Sequence, residues 1–195
     1  MGLTKQAKTL NAKQVNNVVA RARDYRNGLR NETIVQLTLL AGLRAKEVAG
    51  LRWEHVLTSE REIGTEIRLT NDAAKGKSGG VIPLHPKLKA LLGELKGKHQ
   101  QGDAKRAVIR SEHGGALRAQ SVVNLLCVHY QLCDIEGASS HSGRRTFVTN
   151  AARKISMAGG TIRDVQALAR HANLATTQRY IETNSAAQRA VVDLL

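Results

Sequence analysis

The chain has 195 residues, and 30 lysines and arginines against 16 aspartates and glutamates give a formal net charge of +14. With 42% hydrophobic residues it can bury a core, so the charge belongs to one folded domain of ordinary size, and intrinsic disorder is excluded as the default. Counted in quarters of about fifty residues the excess runs +6, +3, +2 and +3, which spreads the positive field over the fold instead of packing it into a tail. An anionic partner follows, and nucleic acid, an anionic membrane and an acidic protein all satisfy it. No apolar run reaches the roughly 18 to 20 residues of a membrane span. The amino terminus, MGLTKQAKTLNAK, lacks the apolar core of a signal peptide, and a cytosolic or otherwise intracellular protein is expected. Cys127 and Cys133, six apart in one expected helix, point to different sides and can neither pair nor make a metal site. The five aromatics, Tyr25, Trp53, Tyr130, Phe147 and Tyr180, are too few for a platform that stacks single-stranded bases. If the partner is nucleic acid, duplex backbone is favoured.

In chain order, apolar positions at helical spacing predict helices over residues 11 to 26 and 31 to 43, the second carrying Ile34, Leu37 and Leu40 with Asn31 as its cap. AGLRAKEVAGLRW continues helically past a turn at Gly42. The stretch TEIRLTNDAAKGKSGGVIPL then changes period: Ile67 and Leu69 alternate, glycine and lysine form a turn, and Val81 and Ile82 lead into Pro83, a small hairpin between helical blocks. Further helices are expected over 86 to 97, 119 to 133, 144 to 155, 161 to 169, 174 to 181 and 185 to 194. The expected fold is mostly α with a small antiparallel β-sheet, an α+β domain without internal repeats.

Basic side chains recur beside turns and helix starts: Arg44 after AGL, Lys75 in the hairpin turn, Arg144 and Arg145 after His141, and His171 after LAR. Taken singly each reads as a solvated surface group. GKSGG lacks the GxxxxGK[ST] spacing of a phosphate loop, and His141 and His171, thirty apart with no ligand-spaced partner, make a poor metal site.

Taken in order, these segments resemble the catalytic domain of the tyrosine recombinase, or phage integrase, family over residues 31 to 184, about four fifths of the chain. AGLRAKEVAGLRW resembles the family's first box, with Arg44 as the catalytic arginine and Glu47 as its accompanying carboxylate. AKGKSGGVIPL resembles the hairpin with the catalytic lysine, and the eight-residue step to Pro83 favours Lys75 over Lys77. HSGRRTF matches the HxxR box through His141 and Arg144, and LARHANLATTQRYIET matches the last box through His171 and the nucleophile Tyr180. Two positions depart from the family pattern. Gly143 stands where leucine is usual, which is expected to loosen that helix start, and Arg170 stands where glycine is usual, which adds a charge near the site. Only about 30 residues precede the stretch over which the resemblance runs, so the resemblance implies a short form without the usual amino-terminal clamp domain. It divides the chain into a basic arm and first helix (1–30), a catalytic domain (31–184) and a carboxy-terminal helix (185–195). That helix either packs on its own domain or is donated to a neighbouring protomer.

The resemblance implies a site-specific recombinase that cuts and rejoins duplex DNA, for integration, excision or inversion, without metal or nucleotide cofactor. Its proteins are bacterial or phage-borne and assemble as tetramers on DNA, some with accessory DNA-bending proteins. The residue types suit that chemistry. Arginine forks bind non-bridging phosphate oxygens and stabilise the charge that grows on them, with His141 and His171 adding hydrogen bonds. A phenol becomes a nucleophile where a cationic pocket favours its phenolate. Lys75 would protonate the departing 5′-oxygen, and Glu47 would orient an arginine or histidine. Arg145 reads as a phosphate contact or surface residue outside this set. The alternative is a DNA-binding module of the same fold with weak or no turnover. The basic start, which holds the largest share of the excess, is expected to supply part of the missing clamp's grip.

Overall fold

The computed structural model describes residues 7–70, 79–99, 104–180, 189, 192 and 193. Lys75 and most of the expected last helix lie outside the described residues. The first helix, α1 (Ala12–Asp24), opens on a capping box: the Asn11 side chain accepts the Gln14 N–H at 2.9 Å, and the Gln14 side chain accepts the Asn11 N–H at 3.1 Å. The chain then turns sharply through Asn27, whose φ of 60° is left-handed, into α2 (Gly28–Leu40). Glycine is required at the start of α2, because a Cβ on Gly28 would stand 1.7 Å from the Arg23 carbonyl oxygen. The helix begins three residues earlier than its sequence pattern predicts. Asn31 is not its cap; it lies inside α2, buried, with Nδ2 donating to the Arg26 carbonyl at 2.8 Å.

Helix α2 is the axis of the domain. Residues Thr33 to Leu39 are all buried, as expected of a helix covered on all sides, and α1, α3, α4, α5 and α6 pack around it. After α3 (Ala45–Gly50), strands β1 (Glu66–Leu69) and β2 (Gly80–Pro83) pair antiparallel with Ile67 opposite Ile82 and Leu69 opposite Gly80. Ile67, Leu69 and Ile82 face the core while Val81 faces out, the period-two alternation of a half-buried ribbon. Helix α4 (Pro86–Lys98) starts on a proline in its first turn and buries Leu88, Leu91, Leu92 and Leu95. Helices α5 (Ala119–Gln131), α6 (Ser142–Lys154), α7 (Ile162–Ala169) and α8 (Leu174–Gln178) complete the described fold. The mostly helical domain with one two-stranded antiparallel sheet is the fold expected from the sequence. Among the described residues no helix is long and apolar enough to cross a membrane.

Two apolar clusters hold these elements. The large one runs from Leu10 to Ile135 around α2. The small one has Val148, Val165 and Ala169 at its centre, with Phe147, Ile155, Ile162 and Tyr180 packed on it. Helix α6 joins them, and two glycines set how closely. A Cβ on Gly143 would fall 2.0 Å from Thr38 Oγ1 on α2, and one on Gly42, where φ is 61°, would fall 2.4 Å from Phe147 Cδ1. The sequence reading of Gly143 as a loosened helix start is thereby reversed, since its missing side chain is what lets α6 lie directly on α2.

Gly143→Ala should lower stability by about 1–3 kcal/mol through overpacking, read as a drop in the urea midpoint, with Thr38→Ala recovering part of the loss. A second expectation concerns acid. Burial is the main force holding the imidazoles of His55, His99 and His129 below the ordinary 6.5, so the unfolded chain binds protons more readily than the folded one. Stability should therefore fall as pH drops below about 6.5, and His129→Gln should flatten that decline in urea midpoints taken between about pH 7.5 and 5.

Candidate active site

The turn between α2 and α3 places Arg44 in an extended conformation at the N-cap of α3. Three residues on, Glu47 folds back beneath it: Arg44 donates its N–H to Glu47 Oε2 at 2.8 Å and Nη1 to Oε1 at 2.7 Å. Glu47 has no exposed side-chain surface. A second guanidinium reaches the same carboxylate from the far end of α7, where Arg170 Nη2 donates to Glu47 Oε2 at 2.7 Å. Burial alone would raise the Glu47 pKa, but the charges of Arg170 and Arg44 and the Arg44 N–H outweigh it and hold the carboxyl below its ordinary range.

Helix α6 carries the next pair. Ser142 Oγ accepts the Ser139 N–H at 3.0 Å, and Ser139 Oγ accepts the His141 N–H at 3.3 Å, which leaves His141 exposed at the helix cap. Arg144, one turn further, is buried, and its two terminal nitrogens donate to the carbonyl oxygens of Gly42 and Ala169. Burial, with Arg44 and Arg170 close by, lowers Arg144 to about 10, so it remains a cation at neutral pH.

The third contribution comes from the α7–α8 corner. Arg170 caps α7 in a left-handed conformation, and the turn is closed by the His171 N–H on the Gln166 carbonyl at 3.1 Å and by Gln166 Nε2 on the His171 carbonyl at 3.0 Å. His171 Nδ1 is hydrogen-bonded to Thr177 Oγ1 at 2.9 Å, which leaves Nε2 as the ring's remaining polar atom. Burial first, then Arg144, Arg44 and Arg170, lowers His171 to about 4, so its ring is neutral at pH 7. The expected helix over 174 to 181 is shorter in the structure. α8 ends at Gln178, and Tyr180 stands in the following turn with its N–H on the Thr177 carbonyl at 3.0 Å. Its ring stacks on His171 with centroids 5.7 Å apart and planes 23° from parallel.

Arg44, His141, Arg144, His171 and Tyr180 thus line one cleft of about 410 Å³. Ser139, Thr176, Arg145, Arg179 and Ala7 complete its walls. Four guanidinium groups, two imidazoles and a phenol face the cleft, and among the described residues no carboxylate lines it. Such a wall selects an anion with several oxygens. Every described residue that the sequence reading assigned to catalysis is at the cleft, and Glu47 is directly below it. Lys75 lies outside the described residues.

Three features go further than that reading. Arg145 sits with Cζ 5.4 Å from the centre of the Tyr180 ring and donates Nε to Thr9 Oγ1 at 3.0 Å, so it belongs to the site and not to the general surface. The segment ahead of α1 forms part of the wall at Ala7 and is tied to α6, with the Leu10 N–H on Thr146 Oγ1 at 2.8 Å. Arg170, noticed only as an added charge, is buried in an ion pair. A doubled arginine after the histidine of HSGRR was the one local signal for Arg145.

The chain is similar to the tyrosine recombinase XerD of Lacticaseibacillus casei, 30% identical over 161 residues, which cover 78% of this chain and 50% of the relative. It is also similar to XerC of Pelobacter propionicus, 26% identical over 154 residues, covering 78% of this chain and 47% of that one. The chain spans about half the length of the curated relatives it matches. In fold it is similar to the integrase of the Tn1549 transposon in complex with a circular intermediate DNA, with a TM-score of 0.75 at 18% identity over 98% of this chain and 67% of that one. The model of the phage integrase family matches residues 8–187, and the chain is accordingly a member of that family, the tyrosine recombinases.

Proposed function

We propose that this chain cuts and rejoins duplex DNA as a site-specific recombinase, through a 3′-phosphotyrosyl intermediate. The reading rests above all on one observation: Arg44, His141, Arg144, His171 and Tyr180, drawn from three separate stretches of sequence, share one arginine-rich cleft. In the proposed reaction the Tyr180 oxygen attacks the scissile phosphorus and the bond to the 5′-oxygen breaks. Arg44 and Arg144 hold the non-bridging oxygens, whose charge grows in the transition state. Arg144 enters that role already oriented, because its two carbonyl contacts fix the plane of the fork before DNA arrives. His171, neutral and anchored through Nδ1, offers Nε2 to the phosphate or to the phenol proton, and His141 adds a second imidazole. Arg145, with Cζ 5.4 Å from the centre of the Tyr180 ring, holds that ring against the cleft wall through a cation–π contact. Lys75 supplies the proton for the leaving 5′-oxygen. One ester replaces another, so the phosphotyrosine can be attacked in turn by a 5′-hydroxyl, and the strand is resealed without a nucleotide cofactor.

Exchange between two duplexes requires two cuts in each, which assigns four copies of Tyr180 to one complete reaction and motivates a tetramer on DNA. The similarity in fold to an integrase in complex with a circular intermediate DNA supports duplex DNA as the partner. Charge left over from the cleft supplies a salt-sensitive grip on the flanking backbone.

The test uses nicked duplexes with a randomised core. Wild-type protein should retain a subset covalently on a denaturing gel, and Tyr180→Phe should retain none while still shifting the same DNA on a native gel. Binding by the wild type with no covalent product on any member would favour the non-catalytic module. The basic start is tested separately, because Ala7 lines the cleft and Leu10 is buried against α6, so deleting the segment would disturb the fold. Lys8→Gln should reduce the slope of log K against log salt by about 1 for one lost phosphate contact, measured by titration on the recovered duplex.

A further inference from the structure

Arg170 is held in a way that surface charge does not explain. Its backbone is left-handed with φ of 52°, a conformation that favours glycine, yet it carries a long side chain that is only 3% exposed. The stem runs past β2, where the place of a Gly80 Cβ is 3.2 Å from Arg170 Cδ, and the head reaches Glu47 on α3. On either side of Arg170 the chain is already committed to the cleft: the Ala169 carbonyl holds Arg144, and the next residue is His171.

Glu47 divides its oxygens between two arginines. Oε1 takes Arg44 Nη1, while Oε2 takes the Arg44 N–H and Arg170 Nη2. With Arg170 occupying Oε2, the Arg44 head is held through Nη1 alone, and the rest of its donor fork stays available to the cleft. We propose that Arg170 is a positioning residue for strand cleavage, which shares Glu47 with Arg44 so that the Arg44 fork is fixed relative to His171 and Tyr180. This role rests on the recombinase reading given above. The charged and titratable groups facing Glu47 are Arg44 from the start of α3, Arg170 from the end of α7 and Arg144 from α6, with His171 beyond Arg170. Without Arg170, burial of the Glu47 carboxylate is opposed by fewer cations and it takes up a proton more readily. A protonated Glu47 no longer forms the ion pair that holds Arg44.

Glycine is compatible with the backbone at this position, so Arg170→Gly removes the side chain without adding strain. On a nicked duplex recovered as above, single-turnover cleavage by Arg170→Gly at saturating protein should be about 10–100-fold slower, with DNA affinity changed less than about twofold. Its rate should also fall as pH drops toward 6, an acidic limb that wild type lacks and that the Arg170→Gly/Glu47→Gln double variant lacks as well. Arg170→Lys should restore part of the rate. A wild-type rate and pH profile in Arg170→Gly overturn the proposal, and so does a loss that is equal at every pH and accompanied by a lowered melting temperature. A readout independent of DNA separates this idea from the reaction itself. The Arg44 Nε–H resonance of the free protein should broaden or shift in Arg170→Gly and remain in place in Arg170→Lys. If wild type forms no adduct, the recombinase reading fails while this resonance still decides the positioning of Arg44, and an unchanged resonance in both variants overturns it.

Discussion

Like charges brought together in a half-buried place repel strongly unless something answers them. Arg44, Arg144 and Arg170 converge beneath and beside one cleft, and the groups that answer them among the described residues are few: the Glu47 carboxylate and the carbonyls of Gly42, Leu168 and Ala169. Most of the local architecture follows from seating those acceptors. The α2–α3 turn exists in its left-handed form at Gly42 and so aims a carbonyl at α6. The α7 terminus ends in a left-handed residue and so aims another. Helix α3 begins on a residue whose partner lies one turn on, which buries Glu47 where both arginines can reach it. Among the described residues the cleft keeps an excess of positive charge, because the four arginines that line it outnumber the one carboxylate paired beneath it.

The cleft also straddles the two apolar clusters. Arg44 and Glu47 are rooted in the large core around α2, whereas Tyr180 packs on the small one under α6 and α7. Helix α6 spans both, and the absent side chain at Gly143 sets how near it lies to α2. A shift of α6 by the width of one methyl group would move His141 and Arg144 together against Arg44. Packing at a position with no chemistry of its own therefore controls the geometry of positions that have it.

Much of this was legible in the sequence, and the parts that were not have a common cause. The helix periods located α1, α4, α5, α6 and α7 to within a few residues, since amphipathic spacing is a local property. The ordered boxes identified five residues that share the cleft, and the alternation at Ile67 and Leu69 placed the ribbon. The partner of Arg170 is 123 positions away, Arg144 meets Gly42 across 102, and Thr9 meets Arg145 across 136. No window along the chain contains both members of any such pair. Asn31 misled for a related reason: it has the side chain of a cap, but α2 starts at Gly28, in a close approach to the Arg23 carbonyl that only the folded corner reveals.

Arg44 and Arg144 differ in what holds them. Arg44 depends on a side chain, and one codon change at position 47 removes its anchor. Arg144 depends on main-chain oxygens, which every amino acid supplies. Sequence drift at positions 42 and 169 therefore threatens Arg144 only when it displaces the backbone, and the same two positions are guarded against displacement by their own tight packing. Within one site, one arginine is exposed to mutation at a distance and the other is largely insulated from it.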